Sequence, residues 1–163
     1  MLMNSLFRVL YHTNTFNIIE LNSLNSLTIE DESFKKVTSF SLGTMNSLEI
    51  LEIGNHCFKS IATDIRLYHF PELISLKIGR NSFYDESNGQ SIDKIFQVYN
   101  NSKLLSIEIG EHSFSKFGST FSISSLPLLQ NLTIGSIENE SNNFMNIQSF
   151  SISSIMSTMI FIV

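Results

Sequence analysis

Alanine is almost absent from this sequence: Ala62 stands alone among 163 residues, and tryptophan does not occur. Because alanine is the best helix former, its scarcity argues against a helix-dominated fold. Fourteen phenylalanines, with isoleucine, leucine and valine, supply the apolar mass instead and suit a pleated surface. The single cysteine, Cys57, excludes an internal disulfide framework. The length suits one core, so we expect a single strand-rich domain over residues 1–163.

Charged residues are also few, at 15%, and the net charge is −5. The longest basic run is Lys35 and Lys36, so the sequence shows no electrostatic footprint for nucleic acid. The apolar stretch 155–163 is about half as long as a membrane-spanning helix requires, and the first residues do not form a secretory signal. We therefore expect no nucleic-acid partner, no membrane insertion and, unless the chain is a fragment, a cytoplasmic location by default.

A six-residue block, L-x-x-[LI]-x-I, occurs five times. Its leading leucines are separated by 24, 25, 31 and 25 residues, and glycine directly follows four of the five blocks. In four repeats a phenylalanine lies five residues beyond the last isoleucine. We expect the repeat strands to start near Leu24, Leu48, Leu73, Leu104 and Leu129.

A second apolar pair starts eight residues before each leading leucine. The pairs are Phe16-x-Ile18, Phe40-x-Leu42, Ile65-x-Leu67, Phe96-x-Val98 and Phe121-x-Ile123, and Phe150-x-Ile152 extends the series. Alternating apolar residues lie on one face of a strand. A single turn cannot bury both apolar rows, but stacked turns bury them in a continuous one-dimensional core. The spacing therefore predicts a solenoid.

The best-preserved copy, Leu73-Ile-Ser-Leu76-Lys-Ile78-Gly-Arg-Asn81-Ser-Phe83, resembles the leucine-rich-repeat consensus L-x-x-L-x-L-x-x-N-x-L. The recurring I-G-x-x-[SC]-F run is similar to the treponemal-type subclass of bacterial and protist surface proteins. The resemblance implies a right-handed superhelical solenoid that is strand-rich, with parallel β-sheets and few helices. It also implies protein–protein recognition, although fold does not fix function.

The sequence departs from that consensus at its ladder asparagine. Asn81 keeps it, whereas Glu32, His56, His112 and Ile137 occupy the other four positions. We expect His56 to cap backbone groups in its turn.

Three further departures concern insertions and ends. Phe144 is expected to replace the phenylalanine that the fifth repeat lacks. Residues 84–94 are interpreted as a polar insertion that loops out on the side away from the concave strands, and 153–163 as a truncated sixth repeat.

Adjacent His56 and Cys57 raise the possibility of a metal or nucleophile site. In register, however, His56 matches Asn81 and His112, and two turns would separate the histidines by about 10 Å, which is too far to share one ion. Cys57 matches a column of small serines. We therefore predict no catalytic residue, no metal and no cofactor, and the protein is expected not to be an enzyme.

The candidate protein-binding face is the outward side of the repeat strands, formed by Ile50, Glu52, Lys77, Arg80, Glu108 and Glu111. Glu52, Lys77 and Glu108 occupy equivalent positions in successive repeats, which predicts a cross-strand ladder of alternating charge. The alternative is that this face is simply solvated and that its charges only favour in-register stacking of the strands.

Two functions remain open on the sequence. The first is a non-enzymatic scaffold that binds a protein partner, whose identity the sequence does not reveal, through this face. The second is a structural or cell-surface adhesion segment of a much longer repeat array. End-to-end self-association through the repeat ends is compatible with either function, and a hydrolase is the remaining, weaker alternative.

Overall fold

A computed structural model describes residues 5–7, 14–84, 93–155 and 159–162, and for 5–7, 154–155 and 159–162 it describes the backbone alone. These residues form strands and turns and contain no helix. The strands are β1 (Ser5–Phe7), β2 (Thr15–Ile18), β3 (Ser26–Ile29), β4 (Ser39–Leu42), β5 (Ile50–Ile53), β6 (Ile65–Tyr68), β7 (Ser75–Ile78), β8 (Ile95–Tyr99), β9 (Ser106–Ile109), β10 (Thr120–Leu126), β11 (Asn131–Ile134), β12 (Ser149–Ile155) and β13 (Met159–Ile162).

The odd-numbered strands form one parallel sheet of seven, in chain order from β1 to β13. Each strand pairs with the next repeat in the register that the sequence predicts, so that Leu51 lies beside Leu76 and Ile53 beside Ile78. In β3, β5, β7, β9 and β11 the apolar residues at the second and fourth positions are buried, while the first and third residues face outward. The prediction of a parallel sheet built from the L-x-x-[LI]-x-I blocks is confirmed.

The second apolar element of each repeat also forms a strand, and these strands pair in two groups. One sheet holds β2 and β4, and the other holds β6, β8, β10 and β12. The aromatic positions are in register, with Phe96 beside Phe121 and Phe121 beside Phe150. The chain is therefore a parallel β-solenoid whose turns alternate between the long sheet and these two shorter sheets.

A column of stacked phenylalanines fills the core behind the long sheet. Neighbouring rings lie 4.9–5.5 Å apart and within 10° of parallel. The members are Phe34, Phe58, Phe83, Phe114 and Phe144. Phe144 thus takes the place expected for it.

All five phenylalanines have a left-handed backbone, with φ between 51° and 57°. That conformation costs an L-residue about 1–2 kcal/mol, whereas burying a phenylalanine side chain stabilises the fold by roughly 1.5–3 kcal/mol. Burial therefore offsets the strain at these corners.

Lys94, the last residue of the predicted loop 84–94, is buried. Its Nζ donates to the carbonyl of Ile61 at 2.6 Å and lies 4.8 Å from the ring centroid of Phe117. A buried ammonium is tolerated when such partners replace water. Residues 85–92 of the same segment lie outside the described residues.

Gly54, Gly79 and Gly110, which follow β5, β7 and β9, lie where neighbouring turns approach closely. A Cβ placed on Gly79 would meet the carbonyl carbon of Gly54 at 2.6 Å and the backbone nitrogen of Asn55 at 2.7 Å. Because both atoms belong to backbone, they cannot rotate out of the way. Glycine is therefore required by packing at this position.

We expect Gly79→Ala to destabilise the solenoid, because the two turns must separate to admit the methyl group. The free energy of unfolding should fall by about 1–3 kcal/mol, the usual cost of overpacking. Urea denaturation followed by circular dichroism measures this change. Thr133→Ala, which changes an outward residue of β11, is the control, and an equal midpoint for the two variants would contradict the packing argument.

Candidate functional site

The outward side of the long sheet carries a shallow groove along the carboxyl ends of its strands. The groove has a volume of about 280 Å³. Five of the six residues predicted for the binding face line it, namely Glu52, Lys77, Arg80, Glu108 and Glu111. Ile50, the sixth, lies on the same face and is 44% exposed, but it is not among the residues that line the groove.

Two structural rows bring these side chains together. Glu52, Lys77 and Glu108 are the third residues of β5, β7 and β9, and the sheet register places them side by side. Arg80 and Glu111 come two residues after the last isoleucine of their strands, where the chain leaves the sheet. We call these five residues the charged strip.

The charges within the strip are weakly coupled to one another. Lys77 Nζ lies 3.9 Å from Glu52 Oε1, and both side chains are more than 40% exposed. Exposed pairs of this kind contribute only about 0–1 kcal/mol. The strip therefore adds little to the stability of the fold.

A hydrogen-bond chain along the rim of the groove holds the backbone that carries Arg80. Asp31 accepts from the Asn55 backbone N–H at 2.7 Å and from its side-chain amide at 3.1 Å. Asn55 Oδ1 accepts in turn from the Arg80 backbone N–H at 3.0 Å. These bonds from Asn55, backbone first, lower the pKa of the Asp31 carboxyl below its ordinary value. The rim is thereby tied across three turns.

The sequence analysis missed this rim, although a signal was present. Asp31, Asn55, Arg80 and Glu111 each follow the last isoleucine of a repeat by two residues. Aligning that column would have shown polar side chains at successive turns. Of this column, the sequence analysis singled out only Arg80 and Glu111, as members of the binding face.

The ladder position acts through its backbone rather than through its side chain. His56, Asn81 and His112 have φ between 53° and 60°, and the N–H of His56 donates to the Arg80 carbonyl at 2.9 Å. In the described part of the chain no side-chain hydrogen bond involves any of the three. The expectation that the His56 side chain caps the turn is wrong, because the left-handed backbone already directs its N–H at the next turn.

The side-chain ladder is one residue further along, in the column of Cys57, Ser82 and Ser113. Ser82 Oγ donates to the Gly54 carbonyl at 2.7 Å and accepts from the Cys57 N–H at 3.1 Å. Ser113 Oγ repeats both bonds one turn later, to the Gly79 carbonyl and from the Ser82 N–H. Cys57 Sγ lies 3.1 Å from the Glu30 carbonyl and occupies the same position in the ladder.

An asparagine side chain makes similar hydrogen bonds between turns at the corner that follows β8. Buried Asn101 donates to the Leu67 carbonyl at 3.1 Å and accepts from the Phe70 N–H at 2.9 Å. The sequence analysis did not single it out, because it occurs once and outside both repeated motifs.

Burial raises the pKa of the Cys57 thiol from 9.0 to about 11. The thiolate is the reactive form of cysteine, so this side chain is suited to its place in the ladder rather than to nucleophilic chemistry. Among the described residues, no cluster of three His, Cys, Asp or Glu side chains could hold a metal ion.

We expect Cys57→Ser to preserve the ladder and to remove a component of the pH dependence. In the native chain the unfolded thiol ionises near pH 9 while the folded thiol stays protonated to about pH 11, so stability falls as the pH rises between these values. Urea midpoints at pH 7, 9 and 10.5 test this point. The native chain should lose more stability than the variant above pH 9, and parallel curves would contradict the assignment.

Comparisons with known proteins do not identify a relative. No protein-family model, no curated protein and no solved structure matches the chain. Within the described residues there is also no helix long and apolar enough to cross a membrane.

Proposed function

We propose that this solenoid is a non-enzymatic scaffold of the leucine-rich-repeat type, which binds a protein partner through the charged strip. One observation carries the proposal: five outward charged residues from three successive turns converge on one groove. They are held on paired strands and on a hydrogen-bonded rim. A rigid surface with its charges already placed loses little conformational entropy on binding.

The chemistry of the groove supports a protein partner over nucleic acid. Four carboxylates, from Asp31, Glu52, Glu108 and Glu111, line it beside the two cations Lys77 and Arg80. A surface with an excess of carboxylates repels phosphates, whereas a polypeptide can present both signs of charge. The proposal involves no cofactor.

A recognition role also fits the groove better than catalysis does. The groove is open and shallow, and its Asp31 has a lowered pKa, which suits a permanent charge rather than a general acid. His56 does not line the groove, and the Cys57 thiol is buried in the ladder. These groups therefore do not form the clustered acid, base and nucleophile that hydrolysis uses.

The leucine-rich-repeat assignment and its treponemal-type subclass are part of the proposal. In their support, each residue type of the I-G-x-x-[SC]-F run has a distinct task. The isoleucine is buried, the glycine admits the next turn, the serine or cysteine forms the ladder and the phenylalanine joins the stacked column.

We expect Lys77→Ala with Arg80→Ala to weaken the binding of a protein partner at least tenfold, or by about 1.4 kcal/mol. The two cations lie at the centre of the strip and are its only positive charges, so their loss removes the groups that meet a partner's carboxylates. Partners retained by the immobilised native chain would be purified and titrated against both forms by calorimetry.

The matched control is Lys35→Ala with Lys103→Ala, which removes the same charge away from the groove. Both lysines form ion pairs elsewhere, with Glu32 and Glu72. A partner that binds the strip variant and the native chain with equal affinity would discard this surface.

A further inference from the structure

The charges of the strip are ordered along the solenoid axis. The third turn presents two cations, Lys77 and Arg80, and the fourth presents two carboxylates, Glu108 and Glu111. Each cation and the corresponding carboxylate occupy equivalent positions in their turns. The strip therefore has a pair of positive charges on one turn and a pair of negative charges on the next. The two charges of each pair are three residues apart in the sequence, and the pairs lie one strand apart.

These charges are largely unneutralised within the chain. Among the described residues, Arg80, Glu108 and Glu111 form no ion pair within 4.0 Å, and the contact of Lys77 with Glu52 is long, at 3.9 Å. Charges left open in a fixed arrangement are available to a partner with the opposite arrangement.

A second copy of the same strip, related to the first by a two-fold rotation, presents this opposite arrangement of charges. Consider a two-fold axis in the plane between two facing sheets, parallel to the strands and midway between β7 and β9. Rotation about this axis keeps the position along each strand and exchanges the third and fourth turns. Lys77 then faces Glu108 of the second copy and Arg80 faces its Glu111, and the same two contacts recur by symmetry. Such a self-complementary patch is what a two-fold interface requires.

The neighbouring positions are compatible with this arrangement. The second turn then faces the fifth, so that Glu52 faces Thr133 and the exposed Ile50 faces Asn131. No like charges of the strip are opposed. We propose that the partner of the charged strip is a second copy of this chain, docked face to face about this axis. The inference rests on the proposed function, since it takes the strip as the recognition surface and names its occupant.

The size of the face sets the strength to expect. Five strands about 4.8 Å apart and six residues of about 3.3 Å each cover roughly 500 Å² per chain. A stable complex buries about 800 Å² per partner. The dimer should therefore be weak and depend on its four charge contacts, and added salt should weaken it at least tenfold because exposed charges are screened within about 10 Å at 0.1 M.

The test uses two charge-reversed variants of the full chain. One carries Lys77→Glu with Arg80→Glu, and the other carries Glu108→Lys with Glu111→Lys. Sedimentation velocity at low salt, from ~10 µM to ~1 mM, should show the native chain moving toward twice its mass of 18.5 kDa. Each variant alone should remain monomeric, because all four contacts then bring like charges together. An equimolar mixture of the two variants should form a heterodimer, because every contact between them joins opposite charges. Recovery in the mixture also shows that both variants are folded.

Two controls exclude an effect of net charge. The chain carrying all four substitutions keeps the net charge of −5 and should dimerise with itself but not with the native chain. Exchange of the distant pair, Glu72→Lys with Lys103→Glu, also keeps the net charge and should leave the native dimer unchanged.

Three results would overturn the inference. A native chain that stays monomeric throughout is one, and a dimer that persists in both charge-reversed variants, as stacking through the solenoid ends would produce, is another. Variants that fail to pair when mixed are the third. Suppose that the native chain proves to be monomeric while the substitutions Lys77→Ala and Arg80→Ala weaken its binding to a different protein. In that case the proposed function stands, and only the inference that the partner is a second copy of this chain is overturned.

Discussion

Hydrogen bonding between equivalent residues of successive turns is the constraint on which this structure depends. Each strand of the long sheet pairs in parallel with the same segment of the next repeat, so every side chain has its counterpart as a neighbour about 4.8 Å away. Equivalent residues of successive turns therefore form columns along the solenoid axis. Any contact between two identical residues, favourable or unfavourable, is repeated along the whole of such a column. The composition of each column follows from this rule.

The columns illustrate the rule in different ways. Phenylalanines stack with their rings nearly parallel, and the Cys57, Ser82 and Ser113 side chains pass hydrogen bonds from turn to turn. Like charges cannot be repeated at this spacing without repulsion, and the column through Glu52, Lys77 and Glu108 alternates in sign. The alternation that avoids like-charged neighbours in this column also produces the ordered charges from which recognition is proposed.

Much of the architecture could be predicted from the sequence because the repeat is periodic and its apolar positions are unambiguous. The strand positions, their register and the place of Phe144 all follow from spacing. The polar corners were predicted less well. The side chain of His56 was given a role that its backbone performs, and the polar segment 84–94 gave no sign that its last residue, Lys94, is buried. Residue type alone does not show whether a corner residue bonds through its side chain or its main chain.

The amino-acid sequence was sufficient to establish which residues stack, because the repeat length and parallel pairing leave one register that buries the two alternating apolar residues of β3, β5, β7, β9 and β11. It also placed Glu52, Lys77 and Glu108 in one row. The folded chain was needed to tie Asp31, Asn55 and Arg80 into a rim and to bury the Lys94 side chain. Those outcomes depend on left-handed corners and on contacts between turns about 25–30 residues apart, which no local pattern of residues contains.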